Sequence, residues 1–534
     1  MDFKTRKIRK EPRPPKPPKI KAPKIKNKSV TQFSNPNKKD SISNKLHLYT
    51  IGGGVVILLV LVFGTYQLIK SLDFSAIVFS FGKTLQTDEV GNTNIMLVGI
   101  GGEGHDGGNL TDTIIIASID YENKVVPMLS IPRDFYVISD QFENQRINSV
   151  YYEGKSRMGS TKEGIYLLQD TISEITGIPI HYYARVDFNG FVEVVDSLGG
   201  VEIDVEDSIY DPYYPKGETI YFETFSIDEG YQTLDGDTAL KYARSRKTTS
   251  DFDRAKRQQK LLYAIKEKAL SMNILTDAGK IKDLYDSIGE SIDTNLSLAE
   301  IIELAKLAQE FQKDDIFPLV INDDPSTCGG LVYTPAREYF AGASVLIPPG
   351  EGYEYIHHFT DVVFKNIQPF TLEEKVQVLN GTKTPGLAGV TLNLLSRFCV
   401  NVVYYGNASN RELEESTIYY TLDEEGNPPA ILDTITELVP IQTEEGIPLE
   451  YLESERRMDS VVVVELGEDY IDIREPDPFN NLKYLVAPPS ANNDDDEEDE
   501  KDEATSTTKD STTTEPDIAE TTEAAEPVPA ESEE

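Results

Sequence analysis

The chain has 534 residues, 39% of them hydrophobic and 27% charged, with a formal net charge of −40. That length holds two or three domains with apolar cores of their own. Cys328 and Cys399 are the only cysteines, too few for a disulfide framework; one bridge remains open to them, and their distance in sequence argues against it. The charge is unevenly spread. Residues 1–45 carry fifteen Lys or Arg against three acids, whereas residues 491–534 carry two against eighteen.

The N-terminal run RKIRKEPRPPKPPKIKAPKIKNK is too rich in proline and charge to bury a core, so residues 1–45 read as a disordered basic tail. A basic arm can serve a nucleic acid, but the next segment explains it better. Residues 46–70 include GGGVVILLVLVFG and hold no Lys, Arg, Asp or Glu before Lys70, a span of the length that crosses a bilayer. The basic flank places the N-terminus in the cytoplasm and the rest outside, and no small-x-small cleavage site follows. The expectation is a single-pass cell-membrane protein with an extracellular catalytic domain and no nucleic-acid partner.

Residues 71–93 read as a juxtamembrane stem. Asn94–Gly99 is a buried strand by composition, followed by the glycine-rich loop GIGGEGHDGG and a second strand, Thr113–Ser118, with Asp112 just before it. Because that loop opens into a strand rather than a helix, it does not fit a dinucleotide fingerprint. A third strand, Val125–Ile131, runs into Pro-Arg-Asp and sets Arg133 and Asp134 at a strand end, where loops carry function. Lys162–Thr176 has the pattern of an amphipathic helix closed by Gly177. Next come the strand HYYARVDF, a helix over Phe191–Leu198, the strand VEIDV, a loop over Tyr210–Pro215 rich in Tyr and Pro, and the segment DGDTALKYAR that delivers Arg244. Ser297 to Glu300 reads as a capping box for a helix through Phe311. Strands and helices alternating through short links predict a layered α/β domain over residues 94–358.

One stretch stands out against the acidic background. Lys241–Lys260, KYARSRKTTSDFDRAKRQQK, concentrates eight Lys or Arg in twenty residues. Helical spacing from Asp253 places Arg254, Arg257 and Gln258 on one face at i, i+3 and i+4, with Asp251 at the helix start. Arg244 and Arg246 point the same way where the backbone is extended. Two arginine pairs suit a phosphate or pyrophosphate, because guanidinium grips such oxyanions bidentately.

The segments TDTIIIAS, MLSIPRDFYV, RINSVY, GIPIHYYARVDFNGFVEVVDSLGGVEIDV, LDGDTALKYARSR and DFDRAKRQQ, in this order, resemble the LytR-CpsA-Psr family of cell-wall glycopolymer transferases. The resemblance implies a layered α/β/α domain with a central mixed sheet. It also implies a polyprenyl-pyrophosphate-linked glycan donor, a peptidoglycan acceptor and a divalent metal, Mg2+ or Mn2+. By position, Arg133, Arg244, Arg246, Arg254, Arg257 and Gln258 match the pyrophosphate-binding set, and Asp112 matches a metal-binding aspartate. Asp134 and Asp251 are the carboxylates available to take a proton from the acceptor hydroxyl. The chain departs from the family pattern where Gly101 stands in place of an aspartate and Asn109-Leu110 precede Thr111-Asp112. Glu103, His105 and Asp106 lie in the same loop, and Asp106 is the best hard-oxygen replacement. A lipid donor further implies an apolar tunnel, with the helices Gly164–Ile175 and Leu261–Leu270 as its expected lining.

After a linker, residues 359–371, the segment EKVQVLNGTKTPGLAGVTLNLLSRFCVNVVYYGNASN resembles the LytR C-terminal domain, a small α/β module expected over residues 372–489. Residues 490–534 are acidic and poor in apolar residues, and read as disordered. The leading expectation is a phosphotransferase that ligates a lipid-linked glycopolymer to peptidoglycan. A phosphatase acting on the same donor and a non-enzymatic wall-binding or regulatory protein use the same features differently.

Overall fold

A computed structural model describes residues 85–474, apart from 106, 217–220, 246–250, 275–276, 289–291, 351, 454–456 and 458, together with 476 and 479. The basic tail, the apolar span at 46–70 and the acidic tail lie outside the described residues, as do Asp106 and Arg246; of Asp251 only the backbone is described. Among the described residues no helix is long and apolar enough to cross a membrane.

The larger sheet is mixed. Its strands are β1 (Thr93–Ile100), β2 (Thr111–Ile119), β3 (Val126–Ser130), β4 (Tyr182–Asp187), β9 (Ile292–Thr294) and β10 (Ile316–Val320). Their order is β9-β4-β1-β2-β3-β10, with β1 parallel to β4, β3 parallel to β10 and the other pairs antiparallel. Alternation along the strands sorts the side chains. Met96, Val98, Ile114, Ile116 and Leu129 enter the main core, where they meet Ile165, Leu168, Ile172 and Ile175 of helix α2 (Thr161–Thr176). Those four helix residues are fully buried, each stabilising the fold by roughly 1.5–3 kcal/mol. Helix α1 (Val150–Met158) packs closely on α2 because Gly154 and Gly164 meet: a Cβ on Gly164 would fall 2.5 Å from the Tyr151 carbonyl oxygen.

The opposite face of the sheet presents Leu97, Gly99, Thr113, Ile115, Ala184 and Val186 to helices α3 (Phe188–Ser197), α4 (Gly236–Arg244) and α5 (Asp251–Ser271). A smaller hydrophobic cluster unites those helices with β5 (Val201–Val205), the hairpin β6 (Ile209–Pro215) and β7 (Phe222–Ile227), and the end of β8 (Gly230–Leu234). Residues 210–215, expected as a loop, therefore form a strand: Ile209, Asp211 and Tyr214 are buried on one side while Tyr210, Tyr213 and Pro215 face outward. Helix α6 (Leu298–Leu307) starts at the expected Ser297–Glu300 capping box.

The C-terminal module is a five-stranded sheet of β11 (Lys375–Asn380), β12 (Val402–Asn407), β13 (Thr417–Tyr420), β14 (Gln442–Glu445) and β15 (Ser460–Leu466), ordered β12-β11-β15-β13-β14. Its core includes Leu387, Ala388 and Leu395 from helix α7 (Leu387–Arg397). Residues 359–371, read as a linker, are instead packed. Phe359, Val362, Val363, Phe364 and Ile367 are buried in the main core beside Phe398 of the C-terminal module. Their apolar side chains are too numerous for a solvated tether. A Cys328–Cys399 disulfide joins the same two regions, contrary to the expectation from their separation, because the shared core brings the two Cα atoms to 4.4 Å. Beside it, Gly329 N–H donates to the Arg397 carbonyl.

Candidate functional site

Adjacent antiparallel strands bring their ends together, and here the start of β2 meets the residues that follow β3. Asp112 is the second residue of β2, and Arg133 and Asp134 lie just past β3. The Arg133 guanidinium binds the Asp112 carboxylate at 2.7 Å and lies 3.5 Å from Asp134. Asp134 is also held by Arg146 at 3.0 Å. Across from this cluster, α5 contributes Phe252, Arg254, Ala255 and Gln258. The loop after β10 contributes Asp323, and Ser344 and Leu346 close a cavity of about 260 Å³.

Arg244, the last residue of α4, sits elsewhere. Its guanidinium lies over the Phe188 ring at 4.0 Å and donates to the Tyr214 hydroxyl at 3.2 Å. Burial raises the Tyr214 pKa, while the neighbouring Arg244 charge draws it down. Arg244 lines a second cavity of about 260 Å³, otherwise walled mainly by apolar side chains including Leu97, Ile115, Phe191, Leu240, Leu261 and Ile265. Small residues at Gly99, Ala184 and Ala243 leave the room for it. Thr113 and Gln258 line both cavities, so the arginine-bearing compartment and the apolar one share a wall. Of the expected tunnel lining, Leu261, Leu262 and Ile265 face this space. Residues 164–175 do not: Ile165, Leu168, Ile172 and Ile175 fill the main core on the other side of the sheet.

The structure also separates Arg257 from its expected partners. Its Nε donates to the Tyr242 carbonyl at 2.9 Å and its Nη2 to the Ser245 carbonyl. Those carbonyls belong to the last turn of α4 and the residue after it, where oxygens are left without helical partners. Burial lowers the Arg257 pKa. The side chain lines a different cleft, with Lys256, Lys260 and Tyr263, and its role in the fold is to fix the end of the helix that carries Arg244. The step from i to i+3 turned it away, whereas Arg254 and Gln258, at i and i+4, remain together.

The glycine-rich loop folds back on itself, with Gly102 N–H donating to the Gly108 carbonyl and Gly108 N–H to that of His105. Gly102, Gly104 and Gly107 adopt positive φ there. The His105 ring meets Phe188 edge to face at 5.1 Å, and Glu103 is exposed. Asn109 accepts from the Lys155 ammonium at 2.8 Å, so a cation reaches this loop from α1.

Among the described residues no three His, Cys, Asp or Glu side chains form a group that could hold a metal ion. Asp112 and Asp134 nevertheless face one cavity from either side of Arg133. Asp112 there is a hard-oxygen ligand of the kind that a divalent cation takes together with phosphate oxygens and water. Sequence reasoning missed Asp323, Phe188 and Tyr214. Asp323 lies in a loop without periodicity, Phe188 closes a segment read only as a strand, and Tyr214 falls in residues 210–215, read as a loop.

The LytR_cpsA_psr family model matches residues 72–341, and the model described as LytR cell envelope-related transcriptional attenuator matches residues 373–470. The cell wall biosynthesis protein LcpA of Corynebacterium glutamicum is 27% identical over 385 residues, 66% of this chain and 71% of that protein. The polyisoprenyl-teichoic acid–peptidoglycan teichoic acid transferase TagV of Bacillus subtilis is 31% identical over 221 residues, 40% of this chain and about half (51%) of that relative. The crystal structure of B. subtilis TagV aligns at 25% identity with a TM-score of 0.38, covering 51% of this chain and 96% of that one. With more than half its length matched by one family model and the expected segments in order, the chain belongs to the LytR_cpsA_psr family.

Proposed function

We propose that this chain is a membrane-anchored transferase that moves a glycan phosphate from a polyprenyl-pyrophosphate carrier to peptidoglycan during cell-wall assembly. The observation that carries the reading is the shared wall: a cavity bearing Arg133 and Arg254 meets an apolar cavity with Arg244 on its lining, through Thr113 and Gln258. A lipid pyrophosphate has that division, an aliphatic tail joined to a compact polyanion. Each buried methylene of the tail is worth about 0.8 kcal/mol, and guanidinium groups match the oxyanion. The name of the B. subtilis relative supplies the substrate class.

In the proposed reaction an acceptor hydroxyl oxygen forms a bond to the phosphorus nearest the glycan. The bond from that phosphorus to the bridging oxygen breaks, and polyprenyl monophosphate leaves with the electron pair. Arg133 and Arg254 neutralise the charge on the non-bridging oxygens, and Gln258 orients the phosphate between the compartments. Asp134, held in place by Arg133 and Arg146, and Asp251 are the two carboxylates that could receive the hydroxyl proton. Mg2+ or Mn2+ would be held by Asp112, with Asp106 as the nearest further carboxylate in sequence. When bound, it would supply charge neutralisation at the pyrophosphate. Residues 46–70 serve as the anchor in this reading, with the family domain outside the cell.

The direct test follows polyprenyl monophosphate released from a labelled lipid donor by the full-length protein, with and without peptidoglycan fragments. Release that requires the fragments and is lost in Arg133→Ala supports transfer. Release without them identifies a phosphatase, and no release at all identifies a binding protein.

A further inference from the structure

The β6–β7 hairpin has two unlike faces. A bulge in β6 sets it up: Asp211 pairs with Phe225 and Tyr214 with Glu223, so Pro212 and Tyr213 together oppose only Thr224. The extra residue resets the alternation. Tyr210 and Tyr213, three apart, then share the outer side while Asp211 and Tyr214 turn inward. That outer side continues with Pro215 and Phe222, and Tyr221 adjoins it. Tyr210, Tyr213, Tyr221 and Phe222 are 59%, 58%, 68% and 61% exposed. Tyr213 and Phe222 pack edge to face at 6.0 Å, which holds both rings at the surface. None of the outward residues of the two strands carries a charge, in a chain whose net charge is −40. The exposed cation at this end of the hairpin is Lys216.

The inner face of the hairpin is tied to the site. Tyr214 accepts from Arg244, and Lys241, one turn earlier on α4, pairs with Glu223 of β7 at 2.8 Å. The aromatic surface is thus one residue layer away from the arginine that lines the apolar cavity.

We propose that this hairpin docks into the interfacial layer of the bilayer and brings the apolar cavity to the lipid donor. The inference rests on the transferase reading for its purpose and on the hairpin for its chemistry. Tyr and Phe on outward strand positions without charge, with Lys216 at one end, are the residues that settle between headgroups and acyl chains. Exposed rings and hydroxyls can also meet sugars, so a glycan is the alternative occupant that the test below separates.

The chain contains no tryptophan, so Phe222→Trp creates a single tryptophan that can be excited selectively beyond tyrosine absorption. Full-length protein carrying it is reconstituted into vesicles of phosphatidylglycerol and phosphatidylcholine without any polyprenyl lipid, the acyl chains brominated in the test set. Docking requires Phe222→Trp to lose emission in brominated vesicles relative to unbrominated ones, since interfacial aromatics sit beside the acyl chains. Tyr210→Trp, on the same face, must respond likewise. Tyr405→Trp, 55% exposed in the C-terminal module, must lose none. Equal responses from Phe222→Trp and Tyr405→Trp would overturn the proposal. So would an unquenched Phe222→Trp whose emission shifts on adding soluble peptidoglycan fragments, which would assign the hairpin to glycan. Quenching is read without donor, so failure of docking and failure of transfer are separate results.

Discussion

Arg244 rests its guanidinium 4.0 Å from the centroid of the Phe188 ring, on the lining of the apolar cavity. A planar, stacked cation cannot be replaced by a lysine ammonium without losing both the stacking and the fork of donors. Arg244→Lys is therefore expected to lower the transfer rate at least ~10-fold, and Arg244→Ala about 100-fold. Steady-state rates with a short-chain polyprenyl donor measure this; wild-type rates for Arg244→Lys would remove Arg244 from the site.

Arg257 ties α5 to the end of α4 through two backbone carbonyls. Removing a buried guanidinium that satisfies the Tyr242 and Ser245 carbonyls should cost about 2–4 kcal/mol. Thermal unfolding of Arg257→Ala should show a clearly lowered midpoint. An unchanged midpoint with lost donor binding would instead return Arg257 to the substrate contacts expected from helical spacing.

The Cys328–Cys399 bridge closes a loop with a sequence separation of 71, for which chain entropy gives about 4 kcal/mol of stabilisation. The segment just before Cys328 carries Asp323 into the polar cavity, and Asn322 donates to the Cys328 carbonyl at 2.8 Å. Denaturant unfolding of Cys328→Ser/Cys399→Ser should begin at lower denaturant, and reductant should reproduce the shift in the wild type. Identical curves would show that the shared core alone holds the two regions together.

Asp235 caps α4 by accepting from Thr238 N–H, and these hydrogen bonds to Thr238 hold its pKa below the usual aspartate value. A depressed carboxylate contributes stability above its unfolded pKa, about 4, and loses that contribution as pH falls through the folded value. Asp235→Ala should cost about 1 kcal/mol near neutrality, with the difference from wild type shrinking in acid. Urea midpoints across pH test this; a gap independent of pH would contradict the cap.

Much of the larger sheet was legible because its strands are long apolar runs bounded by turn residues, and α2 and α6 announced their ends through Gly177, Ser297 and Glu300. What escaped depended on contacts distant in sequence. The Tyr and Pro of residues 210–215 obscured a strand whose bulge breaks the alternation. Residues 359–367 read as a linker because nothing local named the core that they fill. At the site, one-dimensional spacing kept Arg254 with Gln258, which line one cavity, and grouped Arg257 with them, whereas its guanidinium binds carbonyls at the end of another helix. Asp323 reaches the cavity from a loop held by the disulfide, which no window of sequence reveals.

The measurement closest to the central claim uses the full-length protein with a polyprenyl-pyrophosphate oligosaccharide, Mg2+ and peptidoglycan fragments, and reads the products by mass spectrometry. Transfer requires a fragment whose mass has grown by the glycan phosphate, abolished by chelator and by Arg244→Ala. Free glycan phosphate with no linked fragment, or tight donor binding without turnover, would contradict it.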